Sequence, residues 1–550
     1  MGQNFSGIVR LTLNSEEKGK SVKLYPAELL NADSTVNQSA SGAPYWFAYT
    51  SKGNGTARWQ PQFSYYGFRY VEVEGAVPAG KPNPQGLPEI EELTGLHTCY
   101  AADESGSFHC SKPLFNEIYE LIDWAIRSNM ASVLTDCPHR EKLGWLEQVH
   151  LMQYSVQYRY NLSLLYDKIF NDMRSTQIAD GMVPCIAPEL VEFEGGFRDT
   201  PEWGSSFIIS AWYIYQWYGD TRLIETYYTD MQRYLDYLSS KANNHIVAYG
   251  LGDWFDIGPK NPGEAQLTSN GVTATAIYYY DVTLMAQMAT LLGKEVDAMR
   301  YRNLAADIKQ AFNKQYWNPV TRTYDRNSQA ANAVALYMGL TTEENRQQVF
   351  DNLIADIRSR NNALTAGDVG YRYVLRALEA GGASNVIYDM NCLYDKPGYG
   401  WQLAHGATAL TESWQAYGFV SNNHFMLGHL MEWLFSGLGG IRQAADSFGF
   451  RHIVIRPEPV GDVRSAQTTY ESPYGQIVAD WQDNNDAFIL RVEVPANSSA
   501  SVYLPTTDTA LISESGTPLH SLTEAKISTE KENTVVTVGS GRYYFKVKKK

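Results

Sequence analysis

The sequence predicts a multidomain α and β protein, in which an (α/α)6 toroid lies between an N-terminal and a C-terminal antiparallel β-sandwich. Two changes of period support this class. Polar and apolar residues alternate up to about residue 95 and again after about residue 443, as in half-exposed strands. Between these regions, apolar residues recur at helical spacing with no strand pattern among them. A chain of 550 residues is long enough for several such domains.

The domain boundaries follow these changes of period. Residues 1–95 are predicted to form the N-terminal β-sandwich, and residues 96–113 a linker. Residues 114–442 are predicted to form the helical barrel, and residues 443–550 the C-terminal β-sandwich. The clearest alternation predicts strands at 7–13, 21–25, 68–73, 487–494, 501–504 and 542–547.

Twelve helices are predicted between the two sandwiches, at 114–129, 145–158, 163–177, 205–218, 220–240, 272–291, 295–313, 328–338, 342–357, 369–380, 405–416 and 424–437. Twelve helices without intervening strands predict six hairpins closed into a ring. Such a ring carries its site where the loops at one end converge on the inner helices. Two interhelical segments, 178–204 and 244–271, are long and polar, as this arrangement requires.

Composition narrows the classes of partner. The formal net charge of −15 argues against nucleic acid and anionic membrane surfaces, and no apolar run is long enough for membrane insertion. The five cysteines include no CxxC pair, and no His, Asp and Glu set has metal-ligand spacing, so we expect neither a metal nor a cofactor. The 38 Tyr and 13 Trp suit sugar faces, although large helical domains also bury many Tyr.

The first residues of the sequence lead to a separate expectation about what precedes them. Residues 1–3 run almost directly into the strand predicted at 7–13, as though the chain begins within the β-sandwich region of a larger protein. We therefore expect any targeting segment to lie upstream. The sequence does not determine the compartment, although a periplasmic or secreted location is favoured. It does not determine the oligomeric state either.

The densest cluster of unlike side chains lies at 135–148, between two predicted helices. It contains the carboxylates of Asp136 and Glu141, the guanidinium of Arg140 and the indole of Trp145. A proline and a glycine within the segment exclude a continuous helix. The polar side chains are therefore predicted to lie on an irregular turn, at the rim of an active site.

A second carboxylate lies far along the chain. Glu412 stands among small and apolar residues of 406–414, at the start of a predicted late helix. A carbohydrate hydrolase needs two carboxyl groups, one protonated and one ionised, on opposite sides of the scissile bond. A toroid would bring Glu412 and the 135–148 turn to the same mouth.

Structural roles compete with these functional ones. Glu141 could be a solvated charge at a helix start, and Glu412 could be a helix cap. Trp145, Trp203 and Trp254 could each belong to the core. His150 and His429 lie on helical faces and are interpreted as structural.

With these residues in view, the chain resembles the α-L-rhamnosidases of glycoside hydrolase family 78 over nearly its whole length. The strongest match is D-C-P-H-R-E-K-L-G-W at 136–145. The second is G-A-T at 406–408 with Glu412 and Trp414, followed by Asn-His at 423–424. The G-D-W at 252–254 and the E-W-G at 202–204 are weaker matches.

The resemblance implies roles for individual residues. Glu141 would be the general acid, and Glu412 would activate water with inversion at the anomeric carbon. Binding to the rhamnosyl residue is implied for Asp136, Arg140, Trp145, Trp203, Asp253, Trp254 and His424. The implied partner is a rhamnose-containing oligosaccharide, polysaccharide or glycoside.

One departure concerns the end of the first motif. Many family members place an acid three residues after the motif Trp, in a Gly-Asp pair, where this chain has Glu147 and Gln148. A neutral amide cannot accept hydrogen bonds as a charge. One substrate contact is therefore expected to be altered, or to be taken over by Glu147.

Other functions remain alternatives at this point. Another carbohydrate-active toroid, such as a polysaccharide lyase or an unsaturated glucuronyl hydrolase, shares the predicted fold. A non-catalytic glycan-binding protein with a degenerate site is the third possibility, and the Gln148 departure keeps it open.

Overall fold

The structure is a computed structural model that describes residues 1–42, 44–521 and 526–549. Along the described chain, strands are followed by a long helical region and then by strands again, in the predicted order. The chain divides into two compact units. The first comprises Met1–Ala101, Glu120–Gly144 and Trp401–Leu427, and the second comprises Ala102–Tyr119, Trp145–Gly400 and Gly428–Lys550.

The N-terminal strands form a sandwich. Its sheets have the strand orders β6-β1-β10-β9, with β7 paired to β1, and β5-β2-β8. Alternate residues of β1 and β2, including Val9, Leu11 and Val22, point into one buried core between the sheets. The strands are β1 (Phe5–Ser15), β2 (Lys18–Ala27), β3 (Leu29–Leu30), β4 (Val36–Asn37), β5 (Phe47–Lys52), β6 (Gly55–Trp59), β7 (Tyr66–Phe68), β8 (Tyr70–Glu74), β9 (Val77–Pro78) and β10 (Glu89–His97).

The helices alternate in burial along the second unit. α6, α8, α10 and α12 are buried nearly all round, whereas α7, α9 and α11 bury one face, as inner and outer helices of successive hairpins do. The helices are α1 (Pro113–Asn129), α2 (Glu147–Leu151), α3 (Gln153–Arg159), α4 (Ser163–Thr176), α5 (Pro201–Gly204), α6 (Ser206–Tyr218), α7 (Arg222–Lys241), α8 (Asn270–Leu291), α9 (Glu295–Tyr316), α10 (Gln329–Tyr337), α11 (Glu343–Ser359), α12 (Asp368–Ala380), α13 (Ser384–Asn391), α14 (Tyr399–Ala404) and α15 (Leu430–Trp433).

Three helix predictions need correction. The helix predicted at 145–158 is divided into α2 and α3 at Met152, and α5, α13 and α14 were not predicted. The helix predicted at 424–437 begins only at α15 and continues as a π-helix, Leu434–Leu438.

The helix predicted at 405–416 is absent, and Glu412 therefore lies on an irregular loop after α14. Gly406 has φ of +81°, a left-handed conformation that ends the helix. The backbone amides beyond it bond outside any helix: Glu412 N–H donates to the Ser421 carbonyl at 2.9 Å, and His424 N–H to that of Leu410 at 2.8 Å. The helical spacing of apolar residues in this segment reflects burial of an irregular loop.

The C-terminal sheets lie in the second unit. Their strand orders are β11-β16-β17-β18-β24-β20-β21 and β14-β15-β19-β23-β22, so β11, from the predicted linker, pairs with β16. Their strands are β11 (Gly106–Cys110), β14 (Ile441–Gln443), β15 (His452–Ile455), β16 (Ser465–Ser472), β17 (Gly475–Asp483), β18 (Ala487–Val494), β19 (Ser499–Leu504), β20 (Ile512–Glu514), β21 (Thr517–Pro518), β22 (Lys526–Glu530), β23 (Asn533–Val538) and β24 (Gly541–Lys548). The short strands β12 (Trp317–Asn318) and β13 (Thr323–Tyr324) form a separate two-stranded sheet between α9 and α10, where no strand was predicted.

The strands predicted at both ends of the chain are confirmed, and the one at 68–73 is interrupted between β7 and β8. None of the helices among the described residues combines the length and the apolarity needed to cross a bilayer. All five cysteines carry free thiols.

Candidate active site

The motif turn lies between α1 and α2 and is irregular, as predicted. Asp136 closes it twice: its N–H donates to the Leu143 carbonyl at 3.0 Å, and its Oδ1 accepts the Leu143 N–H at 2.9 Å. Lys142 has φ of +56°, which turns the chain back at this point. The loop between these anchors presents Arg140 and Glu141.

Arg140 links the two candidate carboxylates within the first unit. Its Nε and Nη2 atoms donate to Oε1 of Glu141 at 3.1 and 2.9 Å. The same Nη2 lies 3.7 Å from Oε2 of Glu412. The two Nη2 distances added together are the upper limit of the separation of the two carboxylate oxygens. The structure therefore brings Glu141 and Glu412 to one place.

The two carboxylates differ in exposure. The Glu141 side chain is 29% exposed and that of Glu412 is 11% exposed. Oε2 of Glu412 accepts the Ser421 N–H at 3.0 Å. Burial raises the pKa of Glu412, while Arg140 and the Ser421 amide lower it, and the net result is a pKa above the ordinary value.

Asp136 and His424 are buried beside these groups. Burial raises the pKa of Asp136 well above its usual value, and the charges of Cys137 and Glu141 add to the effect. Burial lowers the pKa of His424 to about 3, so this imidazole is neutral at physiological pH. Oδ2 of Asp136 and Nδ1 of His424 have no hydrogen-bond partner within the described part of the chain.

Two further residues, which the sequence analysis did not select, lie buried near Glu141 and Glu412. His139 and Glu28 are buried in the first unit, with Nε2 and Oε2 3.0 Å apart. Glu28 directly follows β2 of the sandwich. Its only sequence signal is an acidic residue after a strand, which is too common to be informative.

The second unit contains a line of aromatic rings. The ring centroid of Trp145 lies 5.2 Å from that of Phe193 and 6.4 Å from that of Phe197, and Phe197 lies 5.6 Å from Trp254. Trp145, Phe193 and Trp254 are half-buried, and Phe197 is exposed. Trp203 is fully buried. The rings of Phe193 and Phe197, in the long 178–204 segment, were not predicted as part of a site.

The remaining candidate residues lie within the second unit and are buried. The two oxygens of Asp253 accept the Gly367 and Gly370 N–H groups at 3.0 and 2.7 Å, at the start of α12. Burial raises the pKa of Asp253 to about 7. Glu147 and Gln148 are buried in the first turn of α2. The substrate contacts expected of these three residues stay predictions.

The two histidines interpreted as structural are also buried in the second unit. His150 has Nε2 2.7 Å from the Glu202 carbonyl, and burial lowers the pKa of both His150 and His429 to about 3. Among the described residues, no group of three or more His, Cys, Asp or Glu side chains is arranged to hold a metal ion.

Three family models match consecutive parts of the chain. A family model for the bacterial alpha-L-rhamnosidase 6 hairpin glycosidase domain matches residues 103–438. Models for the bacterial alpha-L-rhamnosidase concanavalin-like domain and C-terminal domain match residues 1–96 and 440–518. An α-L-rhamnosidase of Streptomyces avermitilis is 31% identical over 519 residues, which cover 92% of this chain and 48% of that relative.

Solved structures agree over the whole chain. The α-L-rhamnosidase from Dictyoglumus thermophilum superposes with a TM-score of 0.91 at 31% identity, covering 100% of this chain and 61% of that chain. The S. avermitilis α-L-rhamnosidase complexed with L-rhamnose gives a TM-score of 0.88 at 30% identity, covering 99% and 51%. The prediction of a six-hairpin helical toroid flanked by β-sandwiches is confirmed.

The hairpin domain defines the class, that of proteins with a bacterial six-hairpin glycosidase domain. The chain belongs to the bacterial α-L-rhamnosidase family. It spans about half the length of the curated relatives it matches.

Proposed function

We propose that this protein is an inverting, exo-acting α-L-rhamnosidase, which releases terminal α-L-rhamnosyl residues from oligosaccharides, polysaccharides or glycosides. The observation that carries the proposal is the contact of one guanidinium, Arg140, with both Glu141 and Glu412. Two carboxyl groups that contact one guanidinium can act on the same glycosidic bond, one as acid and one as base. The membership of the chain in the bacterial α-L-rhamnosidase family supports L-rhamnose as the sugar that is released.

Glu141 is the general acid. Its Oε1 accepts two hydrogen bonds from Arg140, and the carboxyl group carries the catalytic proton. That proton passes to the glycosidic oxygen as the bond from this oxygen to the anomeric carbon breaks. The greater exposure of Glu141 suits a residue that faces the leaving group.

Glu412 is the general base. It takes a proton from a water that attacks the anomeric carbon on the face opposite the leaving group. The products are β-L-rhamnose and the free alcohol, and proton exchange with solvent restores both carboxyl groups. A pKa raised by burial makes the Glu412 carboxylate a stronger proton acceptor once it is ionised.

Contacts to the sugar are proposed for buried polar atoms that have no hydrogen-bond partner among the described residues. Oδ2 of Asp136 and Nδ1 of His424 are buried polar atoms without a described partner, and rhamnose hydroxyls can satisfy both. The role in packing on the sugar that the resemblance implies for the half-buried rings of Trp145 and Trp254 stays a prediction.

A panel of nitrophenyl glycosides tests the proposal. The protein is expected to release nitrophenol from the α-L-rhamnoside much faster than from the β-L-rhamnoside or from α-glucosides. Absence of release from the α-L-rhamnoside would contradict it. An absorbance rise on an unsaturated or uronate-containing substrate would instead identify the lyase or the glucuronyl hydrolase, and binding without turnover would identify a glycan-binding protein.

The pH dependence of kcat/KM tests the role of Glu412. A base must be ionised, so the rate is lost as pH falls through its pKa, and that pKa is raised. The acidic limb of the profile is therefore expected above the ordinary Glu value. Because Arg140 lowers the Glu412 pKa, Arg140→Met should move the limb to higher pH, and Arg140→Lys should move it less. An unmoved limb in Arg140→Met would contradict this assignment.

A further inference from the structure

We propose that Glu28, from the N-terminal sandwich, is a positioning residue for the general base Glu412. It acts through a buried chain of contacts that also includes His139 and the Ser421–Asn422 turn. The inference rests on the proposed role of Glu412. It assigns the β-sandwich a part in the reaction, because Glu28 directly follows β2 and is 2% exposed.

Glu28 is an anion held by several donors. Its Oε2 accepts the Asn422 N–H at 2.8 Å and faces Nε2 of His139 at 3.0 Å, and its Oε1 accepts Nδ2 of Asn4 at 3.1 Å. Burial alone would raise the pKa of this carboxyl, but the neighbouring His139 imidazole and the two amides outweigh it. The resulting pKa lies below the ordinary value, so Glu28 is ionised in the same pH range as an active base.

His139 connects Glu28 to both motif loops. Its Nδ1 accepts the backbone N–H of Arg140 at 2.6 Å, so in the neutral ring the proton is on Nε2. That proton points toward Oε2 of Glu28 and toward Oγ of Ser421, 3.2 Å away. The His139 side chain is completely buried.

Two consecutive backbone amides complete the series of contacts between Glu28 and Glu412. The N–H of Ser421 donates to Oε2 of Glu412 at 3.0 Å, and the next N–H, that of Asn422, donates to Glu28. Glu28 therefore holds the peptide adjacent to the one that holds the base. Through His139 it also restrains the backbone of Arg140, whose side chain contacts Glu141.

Loss of this anchor should reduce turnover more than binding. A displacement of about 1 Å in a reacting group can cost about a hundredfold in rate. Glu28→Gln keeps the shape of the side chain and removes its charge. We expect kcat on an α-L-rhamnoside to fall about ten- to a hundredfold with KM changed less than about twofold. Glu17→Gln, at an exposed position between β1 and β2, is the matched control and should change neither.

A double-mutant cycle separates positioning from general stability. Azide can replace water in Glu412→Ala, and its attack needs no base. On a dinitrophenyl rhamnoside, whose phenolate leaves without protonation by Glu141, Glu28→Gln should lower the azide-dependent rate of Glu412→Ala less than about twofold if Glu28 acts through Glu412. Losses of similar size in both backgrounds would overturn the proposal. Glu28→Asp, which keeps the charge and shortens the reach, provides a second variant for the same cycle.

Separate outcomes distinguish the two proposals. If Glu412→Ala retains normal hydrolysis, the general base assignment fails. If Glu412→Ala is inactive and rescued by azide while Glu28→Gln is fully active, only the positioning role fails. If both Glu28 variants unfold below the assay temperature in a thermal scan, Glu28 is a stability residue and the positioning role is rejected.

Discussion

Glu412→Gln is expected to lower kcat on every α-L-rhamnoside by about 10²–10⁴-fold, because an amide cannot accept a proton from the attacking water. The substitution preserves side-chain shape, and an amide oxygen can still accept the Ser421 N–H that now bonds Oε2 of Glu412. The loss should be nearly equal for nitrophenyl and alkyl rhamnosides, since the base acts on water and not on the leaving group. Steady-state kinetics on both substrates measures it.

Azide provides the control for this prediction. In Glu412→Ala, azide should restore turnover of an aryl rhamnoside by attacking the anomeric carbon from the side that water normally uses. The glycosidic bond breaks as before, and the product is β-L-rhamnosyl azide. Activity of Glu412→Gln within a few-fold of the unaltered protein would contradict the role of Glu412, and so would an α-configured azide.

Glu141→Gln should show a loss that depends on the leaving group. For an alkyl rhamnoside we expect kcat to fall by about 10²–10⁴-fold, because the departing alkoxide has no proton donor. For a dinitrophenyl rhamnoside the loss should be much smaller, since this phenolate leaves without protonation. The ratio of the two losses is the measured quantity.

A matched comparison makes the second prediction specific. Glu412→Gln and Glu141→Gln remove one carboxyl group each, from residues that contact the same guanidinium. The leaving-group dependence is expected for Glu141 alone. Equal losses on alkyl and dinitrophenyl rhamnosides in Glu141→Gln would contradict its role as the general acid, even if both variants were inactive.

Much of the site could be predicted where polar and aromatic side chains are clustered within one short segment of the sequence. A proline and a glycine within ten residues required an irregular turn at Asp136–Trp145, and that turn is present. The spacing of apolar residues predicted the long helices correctly, because each of these helices buries a defined face. The same reasoning failed at 405–416, where the apolar residues line an irregular buried loop and Gly406 adopts a left-handed conformation.

Contacts made by folding could not be predicted from the sequence. The resemblance implies that Arg140 binds the rhamnosyl residue, whereas in the structure its guanidinium donates two hydrogen bonds to the Glu141 carboxylate. Glu28 and Asn422 are hundreds of residues apart, and neither stands in a motif. Phe193 and Phe197 lie in a long segment whose polar residues suggested a loop, and only the folded chain shows their rings beside Trp145.

The stereochemistry of the first product tests the central claim most directly. Proton NMR of a concentrated sample turning over an aryl α-L-rhamnoside follows the anomeric signals before mutarotation mixes them. The account predicts that β-L-rhamnose appears first and that α-L-rhamnose grows in later at the rate of spontaneous mutarotation. Initial appearance of α-L-rhamnose would mean retention, and would contradict the assignment of Glu412 as a base acting on water.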